Sequence, residues 1–223
     1  MNSIANKLSS SNISLIAGSE YLHYDKNVNN KAFLQLTDNR LGFNSAIRIW
    51  QNKNEPAPSE EKELLSKFGL SFDKEIREKK YTYIHNNFHF GLMICSEVQN
   101  SKERISFQGN VDALIILSWN QDIDTFSSLI ESTALDVHAY TIVVNNRKYG
   151  DSRVRSPSKK SYLRDIARVR GGKKDYCVYV ELDIDLLRRF QSRSKRWPDD
   201  SDPFKPLPEG YVMLNSRKKL PPI

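Results

Sequence analysis

Short apolar runs divided by polar turns make up most of the chain, and they predict strands more often than helices. Residues 13–17 (Ile-Ser-Leu-Ile-Ala) form an apolar run ended by Gly18 and read as a buried strand. Residues 31–36 and 45–50 read as two more strands with a turn at Asp38-Asn39, which predicts an antiparallel pair or meander. Residues 51–59 are a loop fixed by Pro56 and Pro58. Ser59 then has the character of an N-cap, because Glu60, Glu61 and Glu63 crowd the turn after it, and a short helix to about Lys67 is expected. Residues 81–84, 88–95 and 111–117 read as strands, the last two nearly all apolar. Phe126, Leu129, Ile130, Ala134 and Val137 recur at helical spacing, so residues 126–139 predict a helix, followed by a strand at 140–144. Strand, crossover, strand, helix, strand is the order of an α/β layered domain with a largely buried sheet. Further on, residues 161–170 suggest a short basic helix, residues 176–184 a strand, and residues 197–223, rich in proline and charge, an extended tail.

At 223 residues the chain suits one domain, or one domain plus a tail, and is long enough to bury a core without staples. Its two cysteines both fall in apolar, strand-like runs and make no disulfide framework, which predicts a reducing, cytoplasmic setting. No stretch of about 18 apolar residues is present, so no membrane span is expected, and the polar residues 1–11 have no secretory character. The net charge of +7 is unevenly placed. Arg153, Arg155, Lys159, Lys160, Arg164, Arg168, Arg170, Lys173 and Lys174 crowd one segment opposed within it by Asp165 alone, and Arg188, Arg189, Arg193, Lys195 and Arg196 follow. Such a face suits nucleic acid or an acidic partner, or is simply a solvated surface.

Chemistry narrows to few residues. Cys95 ends an apolar strand and is followed at once by Ser96 and Glu97; a nucleophile gains from a strand end, where it faces a cleft and the next amides can stabilise an oxyanion. Its reactive form is the thiolate, which needs a nearby cation or base. A cysteine in such a run is otherwise a small core residue. Lys53, in the loop after a strand, could steady a tetrahedral intermediate, or be one more solvated lysine; Glu60 and Glu61 could orient it, or cap a helix. His85, His89 and His138 are too scattered for a metal set, Gly171-Gly172-Lys173 lacks the rest of a phosphate loop, and neither metal nor cofactor is expected.

Taken in order, these pieces resemble the nitrilase, or carbon–nitrogen hydrolase, superfamily. Residues 91–97 (Gly-Leu-Met-Ile-Cys-Ser-Glu) look like its nucleophile strand, and residues 112–120, ending Ser-Trp-Asn, are similar to its next strand and the loop lining its pocket. Residues 134–146 resemble its helix and a strand ending in Asn, residues 150–157 its Gly-x-Ser-x-apolar-x-x-Pro turn, and residues 181–185 its late strand near an Asp. Upstream, Ala17-Gly18-Ser19, Phe43-Asn44-Ser45-Ala46 and residues 53–61 look like its earlier strands and lysine loop. The resemblance spans roughly residues 13–190, with a disordered leader at 1–12 and a Pro-rich basic tail at 191–223. It implies an α/β fold, an α-β-β-α sandwich. Carried over, Cys95 attacks an amide or nitrile carbon, Lys53 steadies the oxyanion and Glu61 (or Glu60) supports it, while Glu97, Trp119 and Asn120 belong to the substrate pocket.

The match has one gap. The family's general-base Glu lies ahead of the segment matching residues 13–19, and none of the twelve residues before Ile13 is acidic. Ser96 also stands where an aromatic is frequent. The expectation is an N-terminally incomplete domain: a fragment, a domain completed by another polypeptide, or one that has lost activity. Residues 204–211 and the basic C-terminal part resemble the nitrilase-like domains of bacterial defence-associated reverse transcriptases. Two functions therefore compete. One is a thiol amidohydrolase acting on a small amide or nitrile. The other is a non-catalytic module of a larger assembly, with nucleic acid touching Arg153, Arg155, Lys159, Lys160, Arg164 and Arg168, or with a reverse transcriptase as partner. The family also implies a homodimer. The catalytic reading requires the Cys95 thiol and the Lys53 ammonium to converge at the mouth of one sheet.

Overall fold

The computed structural model describes residues 2–40, 42–73, 79–193 and 197–218. The chain divides into two compact units, Met1–Lys79 and Lys80–Ile223, where the sequence suggested one domain at 13–190.

In the first unit, α1 (Asn2–Ser10) precedes β1 (Leu15–Tyr24), β2 (Asn27–Asp38) and β3 (Ser45–Asn52). Helix α1 replaces the expected disordered leader: Ala5 is fully buried and its carbonyl accepts the Gln35 amide at 2.5 Å. The meander is antiparallel, β2 pairing β3 without a break from Lys31↔Asn52 to Asp38↔Ser45. Phe33 and Trp50, directly opposite each other, bring their rings to 5.0 Å, a cross-strand pair of the kind that holds sheet register. The helix after the proline loop, α2 (Pro58–Glu63), starts two residues earlier than expected. Pro58 supplies the fixed φ of a first helical turn, so the cap falls on Ala57, not Ser59. The helix runs on as a π-helical turn, Leu64–Phe68, and stops at Gly69, whose φ of 62° is left-handed. A short β4 (Ser71–Phe72) pairs parallel to β2, and Val28, Leu64 and Phe72 form a small core there.

In the second unit one sheet has the order β10-β9-β8-β7-β6-β5. Its strands are β5 (Thr82–His85), β6 (Phe88–Ile94), β7 (Ala113–Ser118), β8 (Tyr140–Asn145), β9 (Gly150–Arg155) and β10 (Asp165–Arg170). The pairs β6–β7 and β7–β8 are parallel and the rest antiparallel. The continuous apolar runs follow from burial on both faces. On one face Leu114 and Ile116 pack with Phe126, Ile130 and Ala134's helix, α4 (Ile123–Asp136), and with Phe107 and Val98. On the other, Ala113 and Tyr140 pack with Leu187 and Phe190 of α5 (Ile184–Ser192) and with Phe204. A short α3 (Ser101–Ile105) lies in the β6–β7 connection.

Gly91 in mid-β6 has no room for a side chain: a Cβ there would meet the Phe107 ring at 2.6 Å and Leu114 at 2.9 Å. Gly91→Ala is expected to lower stability by about 1–3 kcal/mol through overpacking, read as a lower urea midpoint with unchanged slope.

Three expectations are overturned. Residues 161–170 are a 3-10 turn, Ser161–Leu163, and strand β10; the Arg and Val residues that suggested a helix alternate along a hairpin with β9, itself read only as a turn. Residues 176–183 carry strand-like alternation but form no ladder among the described residues, and Tyr176 and Tyr179 are exposed. The helix instead starts at Ile184, capped by Asp183. Residues 197–218 are extended but packed: Phe204, Tyr211, Met213 and Arg217 are buried. Lys195 and Arg196 lie outside the described residues. No described helix is long and apolar enough to cross a membrane.

Candidate active site

Parallel strands place their C-terminal ends along one edge, where loops gather functional groups. The register Ile94↔Leu117 and Ser118↔Asn145 sets Cys95, Ser118 and Asn145 side by side there, with Trp119 and Asn120 in the loop that follows. Cys95 is the residue immediately after β6 and opens a 3-10 turn, Cys95–Gln99. Its φ is 52°, in the left-handed region. A non-glycine residue there costs about 1–2 kcal/mol and persists where the surroundings over-determine it. They do so here. Val98 is fully buried in the core three residues on. The buried Glu97 carboxylate turns back to accept the Ile94 N–H at 2.8 Å and the Lys80 ammonium at 2.5 Å. The thiol itself is half-buried; neither it nor the exposed Cys177 is in a disulfide.

Asn145 pins the rest of the edge. Its Oδ1 accepts Ser118 Oγ at 3.0 Å and the Asn120 N–H at 2.8 Å; its Nδ2 donates to the carbonyls of Asn120 at 3.0 Å and Gly150 at 2.7 Å. Asn120 is thus held half-buried through its backbone, while Trp119 is exposed. Of the three pocket residues expected from sequence, Glu97 points under the turn that carries Cys95.

In the first unit Lys53 follows β3, and its amide donates to Asn30 O at 2.8 Å. The side chain is buried and its ammonium is paired with Glu60. Glu60 also accepts Tyr21 OH at 2.6 Å, Asn30 Nδ2 at 2.8 Å and the Ala57 N–H at 3.0 Å. Burial pushes the Glu60 carboxyl up, but the Lys53 charge and these bonds outweigh it and hold it below the usual carboxylate range. Glu60, not Glu61, is therefore the carboxylate on Lys53. Helical spacing explains the change: Glu60 is where a side chain reaches back to the cap residue Ala57, while Glu61's amide closes the first turn onto Ala57 O.

The basic segment is only partly an open face: Arg168, Arg170, Lys173 and Lys174 are exposed, but others are engaged. Arg153 is buried and ion-paired with Asp151, which also takes Arg168 Nε at 2.5 Å. Buried Arg155 meets Asp165 at 2.6 Å and Glu131 at 3.1 Å, and Arg164 meets Glu131 at 2.6 Å. Lys159 donates to Asp199 O at 2.8 Å; Lys160 is exposed. Asp151, and Glu131 of α4, lie outside the segment in sequence, and Asp165, within it, meets Arg155 through the β9–β10 pairing. Arg188, in the second basic cluster, is fully buried against Asp112. Among the described residues no group of three or more His, Cys, Asp or Glu side chains could hold a metal ion.

Sequence reasoning had passed over Lys80 and the clamp formed by Asn145. The only local signal for Asn145 was a paired Asn-Asn ending an apolar strand, and Lys80 carried none.

No family model and no curated protein sequence matches the chain. Solved structures do. A CN-hydrolase superfamily protein from Xanthomonas campestris, XC1258, described with an arsenic adduct in its active site, superposes with a TM-score of 0.56 at 11% identity over 77% of this chain and 63% of its own. An amidase from Nesterenkonia sp. gives 0.55 at 12% identity, with 77% and 64% covered. Nit3 of Saccharomyces cerevisiae, a member of branch 10 of the nitrilase superfamily, gives 0.56 at 18%, with 77% and 60% covered. The chain thus spans less than two thirds of the length of each. Together with the strand order and the turn at Cys95, these superpositions establish that the chain has the nitrilase-superfamily, or carbon–nitrogen hydrolase, fold.

Proposed function

We propose that this chain carries the thiol half of a carbon–nitrogen hydrolase site, with Cys95 as nucleophile toward a small linear amide. The observation that carries this reading is the left-handed φ of Cys95 at the end of a buried parallel strand, a strained position maintained by buried partners. In the proposed reaction the Cys95 thiolate adds to the amide carbonyl carbon. The C–N bond breaks, the amine leaves with a proton, and a thioester remains; water then releases the acid and restores the thiol. Glu60 is unsuited to be the general base, because its carboxylate is already bonded to Lys53, Tyr21, Asn30 and Ala57 and held in its ionised form.

Labelling with iodoacetamide and assay of short aliphatic amides test this reading. Cys95→Ala is expected to abolish labelling at that site and reduce turnover by about 10³-fold or more. Equal turnover by Cys95→Ala would refute the proposal.

A second reading keeps the fold and drops the chemistry: a nitrilase-like module of a larger defence-type assembly, with a reverse transcriptase as partner. The engaged state of the Glu60 carboxylate favours it. It predicts no amide turnover and co-purification with that partner. Nucleic-acid contact through Arg153 and Arg155 is disfavoured, since both guanidinium groups are buried in ion pairs.

A further inference from the structure

We infer that Lys80 is a positioning residue for Cys95, acting through Glu97; the inference rests on the reading of Cys95 as the nucleophile. Lys80 lies just before β5, the strand neighbouring β6, fifteen positions from the cysteine in sequence. Its ammonium and the Glu97 carboxylate are 2.5 Å apart, with side chains only 6% and 2% exposed. The second Glu97 oxygen takes the N–H of Ile94, the residue directly before the nucleophile. One carboxylate thus ties a cation on one side to the backbone of the turn on the other.

A buried ion pair is a poor device for stability alone, because desolvating two charges offsets most of their attraction, and an apolar pair of equal volume often serves as well. Its value is directional. Without the ammonium, Glu97 loses the charge that orients its carboxylate, and its hold on the Ile94 amide loosens. Cys95 would then relax from its left-handed φ toward ordinary strand geometry, turning the sulfur away from the edge it shares with Ser118 and Asn145. Small displacements of this kind lower reactivity steeply.

The experiment is site-resolved alkylation of the full chain by iodoacetamide, read by peptide mass spectrometry, with exposed Cys177 as internal reference. Lys80→Met is expected to slow alkylation of Cys95 about 10-fold relative to Cys177, and Lys80→Arg to restore it to within about 2-fold of wild type. Glu97→Gln keeps an acceptor for Ile94 but loses the ion pair, and should fall between them; it also decides the matter if Lys80→Met does not fold. Wild-type rates at Cys95 in Lys80→Met, or in Glu97→Gln where the former is insoluble, overturn the inference. Failure of the hydrolase reading looks different: the wild-type chain turns over no amide while the contrast in Cys95 alkylation persists.

Discussion

Asp112→Ala is expected to lower the free energy of unfolding by about 3–5 kcal/mol, a large share of the 5–15 kcal/mol that ordinary domains possess. Asp112 precedes β7 and is fully buried. Its carboxylate accepts Arg188 Nε at 2.8 Å and Nη2 at 2.5 Å, Arg217 Nη2 at 2.9 Å, and the His89 N–H at 2.8 Å. Burial alone would push the carboxyl up, but the two guanidinium groups outweigh it and keep it below its ordinary value. Arg188 and Arg217 are themselves 1% and 0% exposed, so removing the carboxylate strands two buried cations. The network also fastens α5 and the C-terminal segment, since Arg217 donates to Gly109 O at 2.6 Å and Leu214 N donates to the same oxygen at 3.0 Å. Urea denaturation followed by circular dichroism measures the loss, and limited proteolysis should cut the variant first after residue 197. Asp112→Asn, which keeps the shape and one acceptor, should fall between the two. An unchanged midpoint for Asp112→Ala would mean that both arginines reach water in the native chain.

Acid should weaken the same region through His138. The ring is fully buried, stacked on Phe190 with centroids 5.7 Å apart and edge-on to Phe204 and Tyr211. Nε2 lies 2.8 Å from Lys205 O and Nδ1 lies 3.4 Å from Gln191 Nε2. The Gln191 amide is oriented by Arg217, which donates to its Oε1 at 2.9 Å, so its NH2 group faces the ring and Nδ1 must accept. That leaves no place for a second ring proton. Burial is the main cause that lowers the His138 pKa from 6.5 to about 4; the Lys205 carbonyl works against it, and Arg193 and Arg217 add to it. Between those values the unfolded chain binds a proton that the folded chain refuses. Stability is therefore complete above about pH 7, falls as pH drops through 6.5, and has lost about 3 kcal/mol near pH 4. His138→Asn suits the residue's φ of 55° and removes the titration. Its stability should vary less over this interval than that of wild type, and an identical pH slope would assign the acid sensitivity elsewhere.

The candidate site was half legible in sequence. An apolar run ending abruptly at Cys95 and polar Ser96 already placed a thiol at a strand terminus, because a fully buried parallel strand shows its ends as sharp changes of polarity. Lys53 was legible as a loop lysine with acids downstream, but which acid it met was not. That choice depended on Pro58 setting the helix start, which turned Glu60 back toward the cap. Lys80 was invisible, since its pairing with Glu97 exists only once β5 and β6 lie side by side.

What the chain determined locally is the set of strands β6, β7 and β8 and the helix α4. Their hydrophobic period is strong enough to be satisfied by almost any compact packing. What only the tertiary structure decided is the fate of the charges and of the weakly patterned segments. Arg153, Arg155 and Arg188 read as surface in a one-dimensional string. Asp112 is 76 residues from Arg188 and 105 from Arg217, and strand pairing brings Asp165 opposite Arg155. A charge is buried or solvated according to partners that contiguity does not reveal. Likewise residues 165–170 became a strand because β9 offered an edge, while residues 176–183, with the better strand pattern, form no ladder among the described residues. A helix closes its own hydrogen bonds; a strand borrows them from a neighbour, and the neighbour is a property of the fold.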